Sequence, residues 1–521
     1  MEEKIKMLHR FPCRLSVFLF LLTACTGPVL SGPTDIGPTV TYNPIASPSL
    51  TPFAPPVTTP TFTATISPLL ATATPIPIPI PTPTPTETFT QTPASVLIAS
   101  LYTLNVKLDY VAHSMTVDES VFYQNATGET LSSLVLAVEP NLWKGCFTLG
   151  SLTVNAQAVT GLSLNSDRLD IPLAQPLIAG GTLNLSLHFD LHLPAADVHH
   201  VFGYNDHQTN LVDWYPFIVP YSGGWLLHPP AQVGEHLAYD TAAFDVTVTL
   251  TDPALSVTLA ASAPAEAAAG SWHFRLQNAR TFVFSASTAY QTVSTTSGGV
   301  TVTSYYFGEE KTQAQVVLDE AAGALRTFAA LFGPSPYTTL SIVESPFYDG
   351  MEYDGLFFLS RDFYAAYDGT VLNNLIDIDV HETAHQWWFG LVGNDQAQAP
   401  WLDEALATYS EELFYEKNYP AVTAWWAFRV DAYMPTGWVD TDIYHGGNFR
   451  TYANAVYLRG AQFLKALRGR IGDEAFFAFL KDYAAQMAGK RATPADFFRI
   501  LREHTNADLS ELISSYFQQP Y

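Results

Sequence analysis

The stretch "HETAHQWWFG", His381 to Gly390, decides how the rest of the chain reads. On an α-helix His381 and His385 stand one turn apart on one face, so both imidazoles reach a single tetrahedral ion. Glu382 follows the first histidine and projects near such an ion without ligating it, placed to take a proton from an attacking water. In a chain of this length and composition a chance H-E-x-x-H is expected on the order of one or two times in a hundred. The pentapeptide is suggestive and not sufficient, because a catalytic zinc takes three protein ligands and keeps one position open.

Working outward, the next helical stretch is "PWLDEALATYSEELFYE", in which Glu404 follows His385 after eighteen intervening residues. Trp401, Leu402, Ala405 and Leu406 flank it, so this carboxylate sits on or near a buried face. There an unpaired charge is costly and coordination removes the cost. Asp403 beside it reads as an ordinary first-turn acid favoured by the helix dipole. One and two turns further along, Thr408 and Glu411 share the face of Glu404; they suit either a shell that orients the ligands or a solvated helix face. The chain's only cysteines are Cys13, Cys25 and Cys146. Two of them fall at the extreme N-terminus, so any metal is held by nitrogen and oxygen.

His381-Glu382-x-x-His385, eighteen residues, then Glu404 within "WLDEALATY" resembles the gluzincin metallopeptidases of the alanyl aminopeptidase type, whose usual strings are HExxHQWFG and WLNEGFA. Here Asp403 replaces the Asn and Ala405 the Gly. Upstream, "YDGMEYDGLFF" (348–358) resembles the family's GAMEN segment, an edge strand along which the substrate backbone lies. By that resemblance Gly350 and Met351 contact substrate and Glu352 holds its free amino group, with Tyr353 in the place of the family's Asn. Physically, an edge strand offers unpaired backbone groups to an extended peptide, and a fixed carboxylate pairs with an ammonium. Downstream, "TYANAVYLRGAQFLKAL" resembles the segment carrying the transition-state tyrosine, which places Tyr457 against the developing oxyanion. Tyr452 is a weaker candidate for the same site. The resemblance implies one Zn2+ per chain on His381, His385 and Glu404, Glu382 as general base, and peptides as substrates. By the same resemblance the large helical C-terminal domain of many relatives is expected to be missing, and with it a more open cleft is the expectation.

Before the body of the protein the chain changes character. Lys4, Lys6, Arg10 and Arg14 precede the apolar run "LSVFLFLL", which is too short to span a bilayer. The run ends in "LTAC", which resembles a bacterial lipobox, so residues 1–25 are expected to be a leader. Cys25 is then the lipidated anchor of an extracytoplasmic protein attached to the cell membrane. Residues 26–97 are rich in Pro and Thr ("PIPIPIPTPTPTETFTQTP") and read as an unfolded linker. Fully extended, it would reach about 200 Å at 3.1 Å per residue.

From 98 to 306 short alternating runs such as "YTLNVKLDY", "LNLSLHFDLHL" and "AFDVTVTL" predict an antiparallel β-sandwich-like domain. From 307 to 521 the period becomes helical, as in "AQVVLDEAAGALRTFAALFGP", "DEAFFAFLKDYAAQM" and "TPADFFRILREH", with "TTLSIVE" a strand. This part is expected to be a mainly helical α+β thermolysin-like catalytic domain. The histidines His199, His200, His207 and His228 lack ligand spacing and read as loop residues. A formal net charge of −25 excludes nucleic acid as a partner. Oligomeric state is not legible. Two alternatives to an aminopeptidase stay open from residues alone: a zinc endopeptidase of the same fold, and a surface-binding lipoprotein without turnover.

Overall fold

The computed structural model describes residues 100–268 and 270–521. The expected leader, Cys25 and the Pro/Thr-rich linker lie outside the described residues. Among those residues no helix is long and apolar enough to cross a membrane.

The first domain is built on an eight-stranded sheet. Its central strand, Ser100–Asp109, alternates buried and exposed positions and sends Leu104, Val106 and Leu108 inward. It pairs antiparallel with Ser114–Gln124 and parallel with Ala242–Leu250. That parallel pair departs from the antiparallel expectation. Alternation reports which face is buried but not strand direction, and the roughly 130 residues between the two strands supply the long crossover a parallel pair needs. Two four-stranded sheets complete the domain, one containing Leu131–Ala137 and Arg168–Leu177, the other Thr258–Ala261 and Phe284–Ser287. Leu104, Val117, Phe189, Trp214, Phe244 and Phe282 belong to one core, and the Trp214 indole donates to the Phe282 carbonyl at 3.0 Å.

The second domain opens with a β-hairpin, not a helix. Gln291–Ser297 and Val300–Tyr306 are joined by Gly298 and Gly299, both at positive φ, as the twist of a two-residue hairpin turn requires. Val300–Tyr306 then pairs in parallel with Thr339–Ser345, which pairs in parallel with Leu356–Ser360; Gly350–Tyr353 closes the sheet as an edge strand. Sheet membership therefore moves the boundary expected at 306/307 to just after Ser287, because strand periodicity runs on unbroken from one domain into the next. The helix Lys311–Phe332 covers this sheet with Val317, Leu318, Leu325 and Phe328.

Arg280 ties the two domains together. Its buried guanidinium donates to the carbonyls of Phe389 (2.6 Å), Tyr239 (3.1 Å) and Lys490 (2.8 Å). An uncompensated buried cation would be costly, so the two carbonyls of the second domain, Phe389 and Lys490, fasten it to Arg280 of the first.

Candidate active site

The helix Asn374–Ala384 begins at Asn373, whose side chain accepts from the Ile376 amide at 3.2 Å, and ends one residue before His385. His381 and His385 sit one turn apart with rings edge to face, centroids 4.7 Å apart, and both are buried. The helix Trp401–Asn418 brings Glu404 to them. It is anchored by Trp401, fully buried against Phe463, Phe497 and Phe517. Glu404 Oε2 lies 3.1 Å from His381 Nε2 and 3.5 Å from His385 Nε2. The edges of a tetrahedron of ligands at about 2.0 Å from an ion are ~3.3 Å, so these spacings match a closed ligand set.

The outer ring nitrogens fix which atoms face inward. His381 Nδ1 meets Glu411 Oε1 at 2.9 Å, and His385 Nδ1 meets the Trp388 carbonyl at 2.9 Å. With Nδ1 directed outward in each, both Nε2 atoms face Glu404 and would present their lone pairs to an ion held there, the arrangement found where histidines ligate metals. Glu411 is fully buried, not solvated, and is gripped by Arg429 through Nε (2.6 Å) and Nη2 (2.7 Å). Thr408 is also buried.

Electrostatics point the same way. Burial drives the Glu382 carboxyl well above the usual carboxylate range; His385 opposes the shift, and the charges of Glu352, Glu404 and Asp349 add to it. Burial acts on Glu404 too, but its hydrogen bonds to His381 and His385 outweigh that and bring it down to about 2. His385 is held well above its ordinary value by Glu352 and Glu404, against burial. A buried cluster with this surplus of carboxylates calls for a cation, and two imidazole nitrogens with one carboxylate oxygen are a donor set suited to zinc.

A cavity of about 280 Å³ opens onto this cluster. Gly350, Met351, Glu352, His381, Glu382, His385, Glu404 and Tyr457 all line it, so the structure brings these eight predicted residues to one place. Glu352 Oε1 accepts from Gln396 Nε2 at 3.1 Å. Tyr353 is buried, its ring edge-on to Phe358. Tyr457 stands in a π-helical turn, Asn454–Leu458, with its ring parallel to His381 and its hydroxyl donating to Glu404 Oε1 at 2.6 Å. Gly460 packs against Ala405, so two small residues let the Tyr457 segment approach the Glu404 helix. Tyr452 does not line the cavity; it is buried behind Tyr457, ring centroids 5.9 Å apart.

The first domain contributes residues that no sequence spacing marked. Asp213, Glu235 and Glu139 face the same cavity. Burial pushes Asp213 up to about 7 and Glu235 well above the carboxylate range, the latter helped by Glu352, Glu404 and Asp403. Among the described residues no lysine or arginine lines the cavity. His199 and His200 also line its wall, His200 meeting Asp197 at 2.9 Å, while His228 meets Asp395 at 3.0 Å and His207 is exposed.

A two-histidine, one-carboxylate centre beneath a sheet-edge strand, joined to a β-sandwich, defines a class: the two-domain zinc metallopeptidases. Comparison with known proteins agrees. Residues 317–516 match the family described as "Peptidase family M1 domain". The chain is 25% identical over 238 residues to aminopeptidase M1-D of Oryza sativa subsp. japonica (42% of this chain, 27% of that protein). It is 26% identical over 152 residues to aminopeptidase N of Lactococcus lactis subsp. lactis (27% of this chain, 18% of that protein). The matched stretches thus span about a quarter or less of these relatives' length. The M1 zinc metallopeptidase from Deinococcus radiodurans superposes with a TM-score of 0.58 at 19% identity, covering 80% of this chain and 92% of that one. A variant of that enzyme, solved with a Tyr-Ser-Ala substrate, gives 0.58 at 18% identity over 81% of this chain and 94% of its own. The fold is that of the two-domain M1 metallopeptidases.

Proposed function

We infer that this protein is a zinc-dependent aminopeptidase that removes residues one at a time from the amino end of peptides. The observation carrying the reading is the convergence of Glu352, Glu382, Tyr457 and the His381–His385–Glu404 triad on one cavity. His381, His385 and Glu404 would hold one zinc ion, which when bound would supply Lewis acidity toward the scissile carbonyl and the attacking water. Glu382 receives the proton of the attacking water and hands it to the leaving amine.

Tyr457 stabilises the oxyanion. Its hydroxyl lines the cavity beside Glu404 Oε1, and a phenol aimed at charge that develops only as water attacks favours the transition state over the ground state. Glu352 pairs with the substrate's terminal ammonium, and the Gln396 amide keeps its carboxylate aimed into the cavity. The Glu235 and Asp213 carboxyl groups line the wall of the same cavity. Gly350 and Met351, on the sheet edge, offer backbone groups to the extended peptide.

A panel of aminoacyl amides assayed with and without a chelator tests the zinc reading: hydrolysis that a chelator leaves intact overturns it. A free peptide compared with its N-acetylated copy tests the exopeptidase reading. Equal cleavage of both makes the protein an endopeptidase.

For the cell, we propose an extracytoplasmic enzyme tethered through a lipid on Cys25, with residues 26–97 as the stalk. The basic leader and the "LTAC" string support this. Membrane fractionation of wild type and Cys25→Ser tests it; an equal distribution of the two removes the lipid anchor.

A further inference from the structure

A second cluster of metal-ligating side chains stands in the first domain, apart from the triad. Glu139, Asp167 and His236 place one ligand atom each within 4.8 Å of one another. Glu139 Oε2, Asp167 Oδ2 and His236 Nε2 are all shielded from solvent. Asp167 is 6% exposed. His236 Nε2 and Glu139 Oε2 form an ion pair, which leaves Asp167 Oδ2 buried and without a partner beside them; buried polar atoms are nearly always satisfied, so this oxygen marks a place for a ligand.

The geometry resembles that of the triad. His236 Nε2 and Glu139 Oε2 are ion-paired at 3.3 Å, and ~3.3 Å is also the separation of two ligands on a tetrahedral zinc. Two of the three positions are preset by the backbone. Glu139 opens a 3-10 turn directly after the strand Leu131–Ala137, and the amide of the preceding Val138 donates to the Asp167 carbonyl at 2.6 Å. His236 comes from the long connection between Phe217–Ile218 and Ala242–Leu250, the same segment that carries Glu235 into the cavity wall.

We propose that Glu139, Asp167 and His236 form a second divalent-cation site, of the borderline class that includes zinc, which staples the Glu235-bearing connection to the β-domain. One imidazole and two carboxylates neutralise a dication and are a donor set that zinc accepts, with solvent in the fourth position. The site is structural: its ion lies in the wall of the cavity, and its removal loosens the connection without touching the triad.

The test is metal stoichiometry of the full chain. Wild type, His236→Ala and Asp167→Asn are equilibrated with Zn2+, dialysed against metal-free buffer and measured by elemental mass spectrometry. Two equivalents in wild type and one in each variant are expected, the equivalent that remains showing that the variant has folded around the triad. One equivalent in all three, or two in all three, overturns the proposal. Anomalous diffraction at the zinc edge on wild-type crystals locates the ions independently of any variant: a peak between Glu139 and His236 is expected, and density only at His381, His385 and Glu404 refutes the second site.

Discussion

Gly350 has no side chain where Glu382 needs the room. A Cβ built on Gly350 would lie 2.6 Å from the Glu382 carboxyl carbon and 2.7 Å from Ile378 Cγ2. The edge strand and the histidine helix thus approach backbone to carboxylate, which puts the general base beside the path of the peptide. Gly350→Ala must displace either the strand or Glu382. Shifts of ~1 Å in catalytic geometry cost about 100-fold in rate, and a loss of that order in kcat/KM is expected. Circular dichroism unchanged from wild type would assign the loss to the site and not to unfolding.

Removing the base while keeping its shape separates metal binding from catalysis. Glu382→Gln is expected to retain the triad's zinc and to lose about 10³-fold in peptide hydrolysis. Zinc content measured beside turnover on the same preparation checks both halves. Full activity in this variant would leave the proton without its assigned carrier.

Tyr457→Phe removes only the hydroxyl now donated to Glu404. If that hydroxyl acts on the oxyanion, kcat falls about 100- to 1000-fold and KM changes little. A KM rise at constant kcat would instead make the phenol a ground-state contact.

Glu411 acts through His381. Glu411→Gln weakens the acceptor on Nδ1 and removes the negative charge that Arg429 grips through two nitrogens. Zinc affinity is expected to drop about 10- to 100-fold, read by competition with a chromophoric chelator. Stability should fall with it, since breaking a buried ion pair costs about 3–5 kcal/mol.

Glu119 offers a pH test remote from the site. It interrupts the inward row Met115, Val117, Val121 and Tyr123, is 1% exposed, and neither carboxyl oxygen has a partner. Burial raises its pKa well above 4.5, so the folded state binds a proton that the unfolded state has released. Stability from this group is therefore lost as pH rises above about 4.5, the unfolded value. Glu119→Leu should raise the melting temperature at pH 8 and do so far less at pH 5. A gain independent of pH would show that the carboxyl group does not titrate in this range.

How much of this was legible beforehand varies with the distance over which residues communicate. The His381–Glu382–His385 constellation is local, because one helical turn sets its geometry. Glu404 was readable because only eighteen residues and a helix start separate it from His385. The amphipathic helices Asp473–Met487 and Pro494–His504 appear where periodicity puts them, the latter with its Thr493 cap. The parallel pairing of Ser100–Asp109 with Ala242–Leu250 was not legible, nor was the transfer of the Gln291–Tyr306 hairpin to the second domain, since alternation does not name a partner strand.

What the chain alone determined was the kind of chemistry, since side-chain type and spacing within one or two helical turns select a nitrogen and oxygen ligand set with an adjacent base. Only the tertiary structure decided what surrounds it. Glu235, Asp213 and the Glu139–Asp167–His236 cluster are drawn together from loops tens of residues apart, and Tyr457 is aimed by a π-turn seated on Ala405 through Gly460. Such contacts arise when separate elements bury their apolar faces against one another, and no local pattern encodes which loops that packing makes neighbours.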